Sequence, residues 1–430
     1  MVAVPRVEVD RWRRGFAEVT ARIAARFVRV EPRVRAGRFL LAMMAELGRV
    51  NAWTVAEHAG ETHPRGMQRL LSAASWDTDG VRDDLRDYVI EHLADPAAVL
   101  VLDETGHLKK GMCTVGVQRQ YTGTAGRIEN SQVAVYLVYA TTSSYAFIDR
   151  ELYLPKSWTT DADRCAAAGV PADVVFATKP ALAKAMIERA VAAGVPAAWV
   201  TGDEVYGADP TLRAAIAATG LGYVLAIAKN HQITTGIGVR RAIDLAVRPD
   251  LTWHRTSAGK GVKGHRFYDW ALIETTDPAV TGQGAHYLLI RRSVRTGEYA
   301  FYRAWSPRPV PLKTLVRVAG SRWKIEEGFQ TSKELTALDQ HQVRLWISWR
   351  RWTILAMLAH AFLSVMAATE PPPDDESLIP LTRNEIRRLL ATAQHPGHPQ
   401  TLREHWSTWR RRHQATARRC HYQRQATQMA

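Results

Sequence analysis

The stretch Pro96–Gly106, PAAVLVLDETG, decides how the rest of the chain reads. Val99–Leu102 is a short, continuous apolar run, which is the pattern of a strand buried on both faces, and it ends in two carboxylates, Asp103 and Glu104. After it, VGVQRQYTG (Val115–Gly123) and SQVAVYLVYATTSSYAFIDRELYLP (Ser131–Pro155) read as two further strands of a meander, with turn residues Gly123, Gly126 and Asn130. ALAKAMIERAVAAG (Ala181–Gly194) is helical, AAWVTGDEVYG (Ala197–Gly207) is strand then loop, TLRAAIAATG (Thr211–Gly220) is helical, and GYVLAIAK (Gly222–Lys229) is the next strand. The order βββαβαβ predicts a mixed α/β sheet with carboxylates after its first and fourth strands, where active groups of such sheets gather.

Outward from this core the texture changes. Residues 1–95 read as helical, with Phe39, Leu40, Leu41, Met44 and Leu47 at helical spacing. Within them Thr54–Trp76 suggests two short helices around a turn, Gly60 ending the first and Thr62 capping the second. A helix-turn-helix would set Arg65, Gln68 and Arg69 toward a DNA groove; a plain helical bundle satisfies the same pattern. Residues 231–311 are Gly-rich, aromatic and alternating, which predicts a β-rich insertion between a first core segment (96–230) and a second (312–369). Helix is expected from Lys313 to Ala368 with a break near Leu338; PPPDDES (Pro371–Ser377) reads as a linker inside a basic, Arg-rich C-terminal region, 370–430.

Composition narrows the function. The chain has 430 residues, 46% of them hydrophobic and 23% charged, which excludes wholesale disorder. Three cysteines, Cys113, Cys165 and Cys420, lie far apart without a CxxC pair, so a disulfide framework or zinc ribbon is not expected and a reducing cytosol fits. The N-terminal MVAVPRVEVDRWRR has charges where a signal core would lie, and Thr353–Ala368, about 16 residues with His360 inside, is short of the ~20 apolar residues of a span and reads as a buried helix. Lys+Arg number 57 against 42 Asp+Glu, a net +15. Residues 1–40 carry ten arginines against four acids (+6) and residues 381–430 ten against two (+8), so the middle is close to neutral. Arginine exceeds lysine 46 to 11, which coding bias explains, but bias does not explain the surplus over acids at the ends. Basic ends around a neutral body point to a polyanionic partner.

Three acidic pairs stand where chemistry could use them: Asp103-Glu104, Asp203-Glu204 and Glu326-Glu327. One carboxylate from each of two strand ends plus one from a neighbouring helix can hold two Mg²⁺ ions, Mn²⁺ substituting, and two such metals ~3.5–4 Å apart activate water and stabilise the leaving oxygen of a phosphodiester. Arg322, Glu326 and Lys333 fall at i, i+4 and i+11, within about 40° of one another around a helix, so a ligand would share its face with two cations. An ordinary salt-bridged helix face has the same spacing. Lys109 and Lys110, just after the first carboxylates, could touch phosphate or be a solvated loop.

The blocks VLDETGHLKKG (Val101–Gly111), VGVQRQYTGTAGRIENSQVAVYLVYA (Val115–Ala140), TGDEVYG (Thr201–Gly207), SAGKGVKGHRFYDWA (Ser257–Ala271) and RWKIEEGFQTSKELTALDQHQVRLW (Arg322–Trp346) resemble the DDE transposases of bacterial insertion sequences, above all the insertion-sequence 701 family of the insertion-sequence 4 superfamily. The resemblance covers roughly residues 35–368 in family order. It implies an α/β fold with a ribonuclease H-like catalytic core interrupted by the β-rich insertion, a helical N-terminal DNA-binding region, and a bacterial cytoplasmic, nucleoid-associated enzyme without a membrane. It further implies cutting at the element's inverted terminal repeats, joining of the 3′-OH ends to target DNA, and a homodimer on double-stranded DNA. Residue by residue, the triad matches Asp103, Asp203 and Glu326, and Arg322 and Lys333 match the superfamily's DNA-gripping Arg and Lys; the signature's Tyr position is Ala319 here. Relatives flip a base against an aromatic residue, for which Trp253 or Trp270 is available, although with 14 tryptophans in the chain packing is the better account of either. The competing readings are a domesticated repressor that binds repeats without cutting and a hydrolase with paired carboxylates; the latter leaves the charge and the Arg/Lys flanks without a purpose.

Overall fold

The computed structural model describes residues 9–236, 238–261, 264–393 and 400–429. Five helices lead: α1 (Val9–Arg22), α2 (Val30–Met44), α3 (Ala52–His58), α4 (Arg65–Leu71) and α5 (Thr78–Leu93). Asn51 caps α3 in a capping box with Thr54, and Asp77 caps α5. Gly60 sits at φ +71°, the left-handed turn a glycine accepts at a helix end. Thr62 does not cap α4 as the sequence suggests; Pro64 occupies that position and offers no side-chain acceptor.

The central strands follow: β1 (Val99–Leu108), β2 (Gln118–Thr122), β3 (Arg127–Ala140) and β4 (Tyr145–Leu152), then helices α6 (Lys156–Thr159), α7 (Ala162–Ala167) and α8 (Lys179–Ala192), strand β5 (Trp199–Gly202), helices α9 (Glu204–Gly207) and α10 (Pro210–Ala218), and strand β6 (Gly222–Ile227). Two expectations need correction. Ser131–Pro155 is two strands, since Thr141–Ser144 turns the chain back through Thr141 N–H donating to Ser144 O and Ser144 N–H donating to Thr141 Oγ1. And β1 does not stop at its carboxylates. It pairs antiparallel with β3 along ten residues, Val99↔Ala140 to Leu108↔Ser131, but parallel with β5 only over Val99–Val101. Asp103 and Glu104 therefore lie in mid-strand, where one flank has lost its partner.

Strands β7 (Gln232–Thr235) and β8 (Gly238–Arg241) form a separate two-stranded sheet, and helix α11 (Ala242–Ala246) follows. Strands β9 (His254–Gly261), β10 (Gly264–Glu274), β11 (Ala285–Ser293) and β12 (Tyr299–Ser306) are antiparallel. They are continuous with the core sheet: β12 pairs with β6, giving one mixed sheet in the order β2-β3-β1-β5-β6-β12-β11-β10-β9, with β4 on β3. The β-rich region thus extends the central sheet sideways.

Helices α12 (Leu312–Ser321), α13 (Trp323–Thr336) and α14 (Trp346–Thr369) come next, then α15 (Arg383–Ala393) and α16 (Gln400–Met429). The break near Leu338 is present, Ala337 at φ 55° closing α13, and a second one falls at Arg322, the hinge residue between α12 and α13. α14 is long and apolar enough to cross a membrane by length and composition, yet 83% of its apolar window is buried inside the protein, between the N-terminal helices and the sheet. Burying Trp349, Trp352, Ile354, Leu355, Leu358 and Phe362 at 2% exposure or less contributes about 1.5–3 kcal/mol per side chain and welds head to core. Mixed α/β with a central mixed sheet is compatible with the ribonuclease H-like core that the resemblance implies.

Candidate active site

Continuing the β1–β5 register two residues past Val101↔Thr201 brings Asp203 beside Asp103. Asp203 begins α9, its Oδ1 accepting the Val205 N–H at 2.9 Å, which fixes the carboxylate at the strand end. Carboxylate oxygens of Asp103, Glu104 and Asp203 lie within 4.8 Å of one another. Glu104 is held from two sides: Lys179 Nζ donates to its Oε1 at 2.6 Å and Tyr206 OH to its Oε2 at 2.8 Å. Glu204, the partner of Asp203 in sequence, is not in the cluster.

Glu326 reaches the group through a cation. Arg322 donates from Nη2 to Glu326 Oε1 at 2.7 Å and from Nη1 to Asp103 Oδ2 at 3.3 Å, spanning from the α12–α13 break to β1. Arg322, Glu326 and Lys333 do share the face of α13 turned to β1: Lys333 Nζ donates to Thr105 Oγ1 at 2.9 Å, two residues along the strand from Asp103. A cavity of ≈ 470 Å³ adjoins this arrangement, lined by Asp203, Glu326 and Arg322 together with Arg266, Arg291 and Trp323.

The electrostatics are those of crowded anions. Burial, then the neighbouring Asp203, push Asp103 up to about 7. Burial and Glu104 raise Asp203 as well. Burial followed by Glu104 and Asp103 puts the Tyr206 phenol well above its usual range, so it stays a donor. Three carboxylates this close, with Lys179 and Arg322 as the cations in contact with the group, offer the hard oxygen donors that suit a divalent cation.

The other sequence candidates are placed as follows. Lys109 is half-buried, its Nζ donating to His341 O at 2.6 Å, and Lys110 is exposed. Arg65, Gln68 and Arg69 are exposed on α4, where Arg65 and Arg69 border a ≈ 680 Å³ cavity with Arg29 and Arg35. Trp270 is buried at 1% exposure, its Nε1 donating to Thr256 O, and it is among the residues lining the ≈ 470 Å³ cavity. Trp253 packs beneath the Arg292 guanidinium, 4.3 Å from the ring centre. The sequence marks Glu104 as half of an acidic pair but not its contacts with Lys179 and Tyr206 from distant segments, and it does not mark Trp323, 45% exposed and lining the cavity beside Arg266.

Residues 23–236 match the family model described as DDE superfamily endonuclease, a stretch that includes Asp103, Glu104 and Asp203 and ends before Glu326. Over 192 residues the chain is 27% identical to a protein of Microchaete diplosiphon described as "Probable transposase for insertion sequence element IS701". That likeness covers 44% of this chain and 47% of the relative, so the chain spans about half the length of the protein it matches.

Proposed function

We propose that this chain, an IS701-like DDE protein, is a DNA transposase that cuts at the inverted terminal repeats of its element and joins the 3′-OH ends to target DNA. The observation that carries the reading is the convergence of Asp103, Asp203 and Glu104 within 4.8 Å, with Glu326 tied to Asp103 by Arg322. Asp103, Asp203 and Glu326 are the ligands we assign to two Mg²⁺ or Mn²⁺ ions, Glu104 supporting them. Bound there, such ions supply Lewis acidity at the phosphodiester and lower the pKa of the attacking hydroxyl. The chain's own residues do the rest. Arg322 keeps Asp103 and Glu326 from separating and presents the edge of its planar guanidinium to the scissile phosphate, where its N–H donors can meet the phosphate oxygens. Arg266 and Arg291, which line the same cavity, neutralise flanking phosphates, and Lys333 stabilises the β1 end of the site.

In this reading the ribonuclease H-like core comprises residues 96–230 and 312–369, with 231–311 as its β-rich insertion. Residues 1–95, through Arg65 and Arg69, and the basic region 370–430 bind duplex DNA. Two ends must be brought together, so the working unit is a homodimer on DNA in the bacterial cytoplasm, at the nucleoid.

The test is strand joining. Purified full-length protein is mixed with Mg²⁺, a supercoiled plasmid and duplexes carrying the inverted repeats that bracket its gene, pre-cut to expose the 3′-OH. Insertion into the plasmid by the wild type but not by Asp203→Asn supports the reading. Binding of the repeats without any joining or cutting establishes the repressor-like alternative instead.

A further inference from the structure

Odd-numbered residues of β1 point to one face, and along that face they form a polar row beneath α13 and the segment after it: Asp103 meets Arg322, Thr105 meets Lys333, and His107 Nδ1 lies 2.9 Å from His341 Nε2. Lys109 carries the pairing one residue past the strand, its N–H donating to Asn130 O at 2.9 Å, and its ammonium reaches His341 O. The row ends in a cavity of ≈ 810 Å³, walled by the loop after β1, by residues 339–344 between α13 and α14, and by Gly48-Arg49 of the helical head. Val50 N–H donating to Gln340 Oε1 and Val115 N–H donating to Arg344 O hold these three segments together.

Four cations line the cavity, Arg49, Lys109, Lys110 and Arg344, against one acid, the exposed Asp339. Many arginines elsewhere pair with carboxylates, as in Arg26–Asp84, Arg189–Asp149 and Arg213–Asp277; none of these four cations forms an ion pair among the described residues. A cluster of like charges on a concave wall, spared the counter-ions available elsewhere, costs the fold self-repulsion that a polyanion removes.

We infer that this cavity is a second phosphate-backbone site, which takes duplex DNA where the helical head meets the core. Six residues of strand separate Lys109 from Asp103, ~20 Å at ~3.3 Å each, or about six base pairs of duplex rise. The identity of the polyanion rests on the proposed function; the cavity's affinity for DNA does not depend on whether the carboxylates cut. Arg49 and Lys110 come from different regions, so one duplex seated here would also fix the head against the catalytic cleft.

The experiment is fluorescence anisotropy of a labelled duplex of roughly 30 base pairs titrated with full-length protein at several salt concentrations. Arg49→Ala/Lys110→Ala/Arg344→Ala is expected to weaken binding and to lower the slope of log K against log salt by about 2.7, three phosphate contacts at ~0.9 each. Asp339→Asn moves the other way, toward tighter binding. Where the triple variant does not fold, Lys110→Ala alone decides, with a slope loss of about 0.9. An unchanged slope in the folded variants overturns the inference. Loss of strand joining with the wild-type binding slope intact overturns only the proposed function.

Discussion

Arg322 lies between the two acids that chain order keeps furthest apart: its Nη1 is 3.3 Å from Asp103 Oδ2, 219 residues away. The other side of the same guanidinium holds Glu326 at 2.7 Å. One planar cation thus sets the distance between a strand carboxylate and a helix carboxylate, and replacing it tests whether that spacing matters. Arg322→Ala is expected to lower the rate of repeat cleavage about 100- to 1,000-fold, the scale seen when a fixed charge-stabilising donor is removed. Arg322→Lys should recover only a part, because an ammonium cannot bridge two carboxylates in a plane. A cleavage time course on all three proteins, with melting temperatures alongside, reads both outcomes.

Glu104 is the residue whose tie to the site came only with the fold. Lys179 and Tyr206 donate to it at 2.6 and 2.8 Å, and its side chain is 17% exposed. Glu104→Gln leaves the Lys179 ammonium without its counter-charge and is expected to cost about 3 kcal/mol. The double variant Glu104→Gln/Lys179→Met should regain most of that loss, since the stranded charge is gone. Urea unfolding of the two single variants and the double variant gives the coupling energy directly.

Gly207 closes the TGDEVYG motif for a steric reason. A Cβ there would stand 1.8 Å from Ala226 O, on β6, so α9 can lie against the sheet only with glycine. Gly207→Ala is expected to destabilise the protein by about 1–3 kcal/mol. Because α9 carries Asp203 at its start, activity should fall further than stability does; calorimetry and a cleavage assay on one preparation separate the two effects.

Lys109 supplies a pH signature. Burial lowers its ammonium to about 8 from an ordinary 10.5. The folded pKa lies below the unfolded one, so the stability tied to the neutral form is complete above about 10.5 and is lost as pH falls through about 8. The difference is on the order of 3 kcal/mol. Lys109→Met removes that dependence. Its melting temperature should exceed the wild type's by most below pH 8, and the gap should narrow steadily toward pH 10.5; a gap independent of pH refutes the assignment.

Much of the site could be read from residue order because its signals are local. The apolar run Val99–Leu102 marks β1, TGDEVYG marks a strand end followed by a helix start, and the spacing of Arg322, Glu326 and Lys333 places all three on one face. Contacts between distant segments were not legible. Nothing near Asp103 says that β3 continues beside β1 for seven residues after β5 has ended. The turn at Thr141–Ser144 has no glycine, proline or asparagine, so β3 and β4 read as one strand. The pairing of β6 with β12, between residues 74 to 82 apart in the chain, joins the β-rich region edge to edge with the core sheet, a contact that no local pattern announces. Charge read alone pointed to the chain's ends, yet four cations without carboxylate partners among the described residues line a cavity where the helical N-terminal region meets the core.

The central claim is that Asp103, Asp203 and Glu326 form a divalent-metal site for phosphodiester cleavage. Its most direct test is incubation of full-length protein with a duplex carrying the element's terminal repeat, in Mg²⁺ and in EDTA, beside Asp103→Asn. The account predicts a cut at the repeat end that requires the divalent ion and is absent from the Asp103→Asn reaction. Cleavage by Asp103→Asn at the wild-type rate, or an intact duplex after incubation with the wild type in both Mg²⁺ and Mn²⁺, would contradict it.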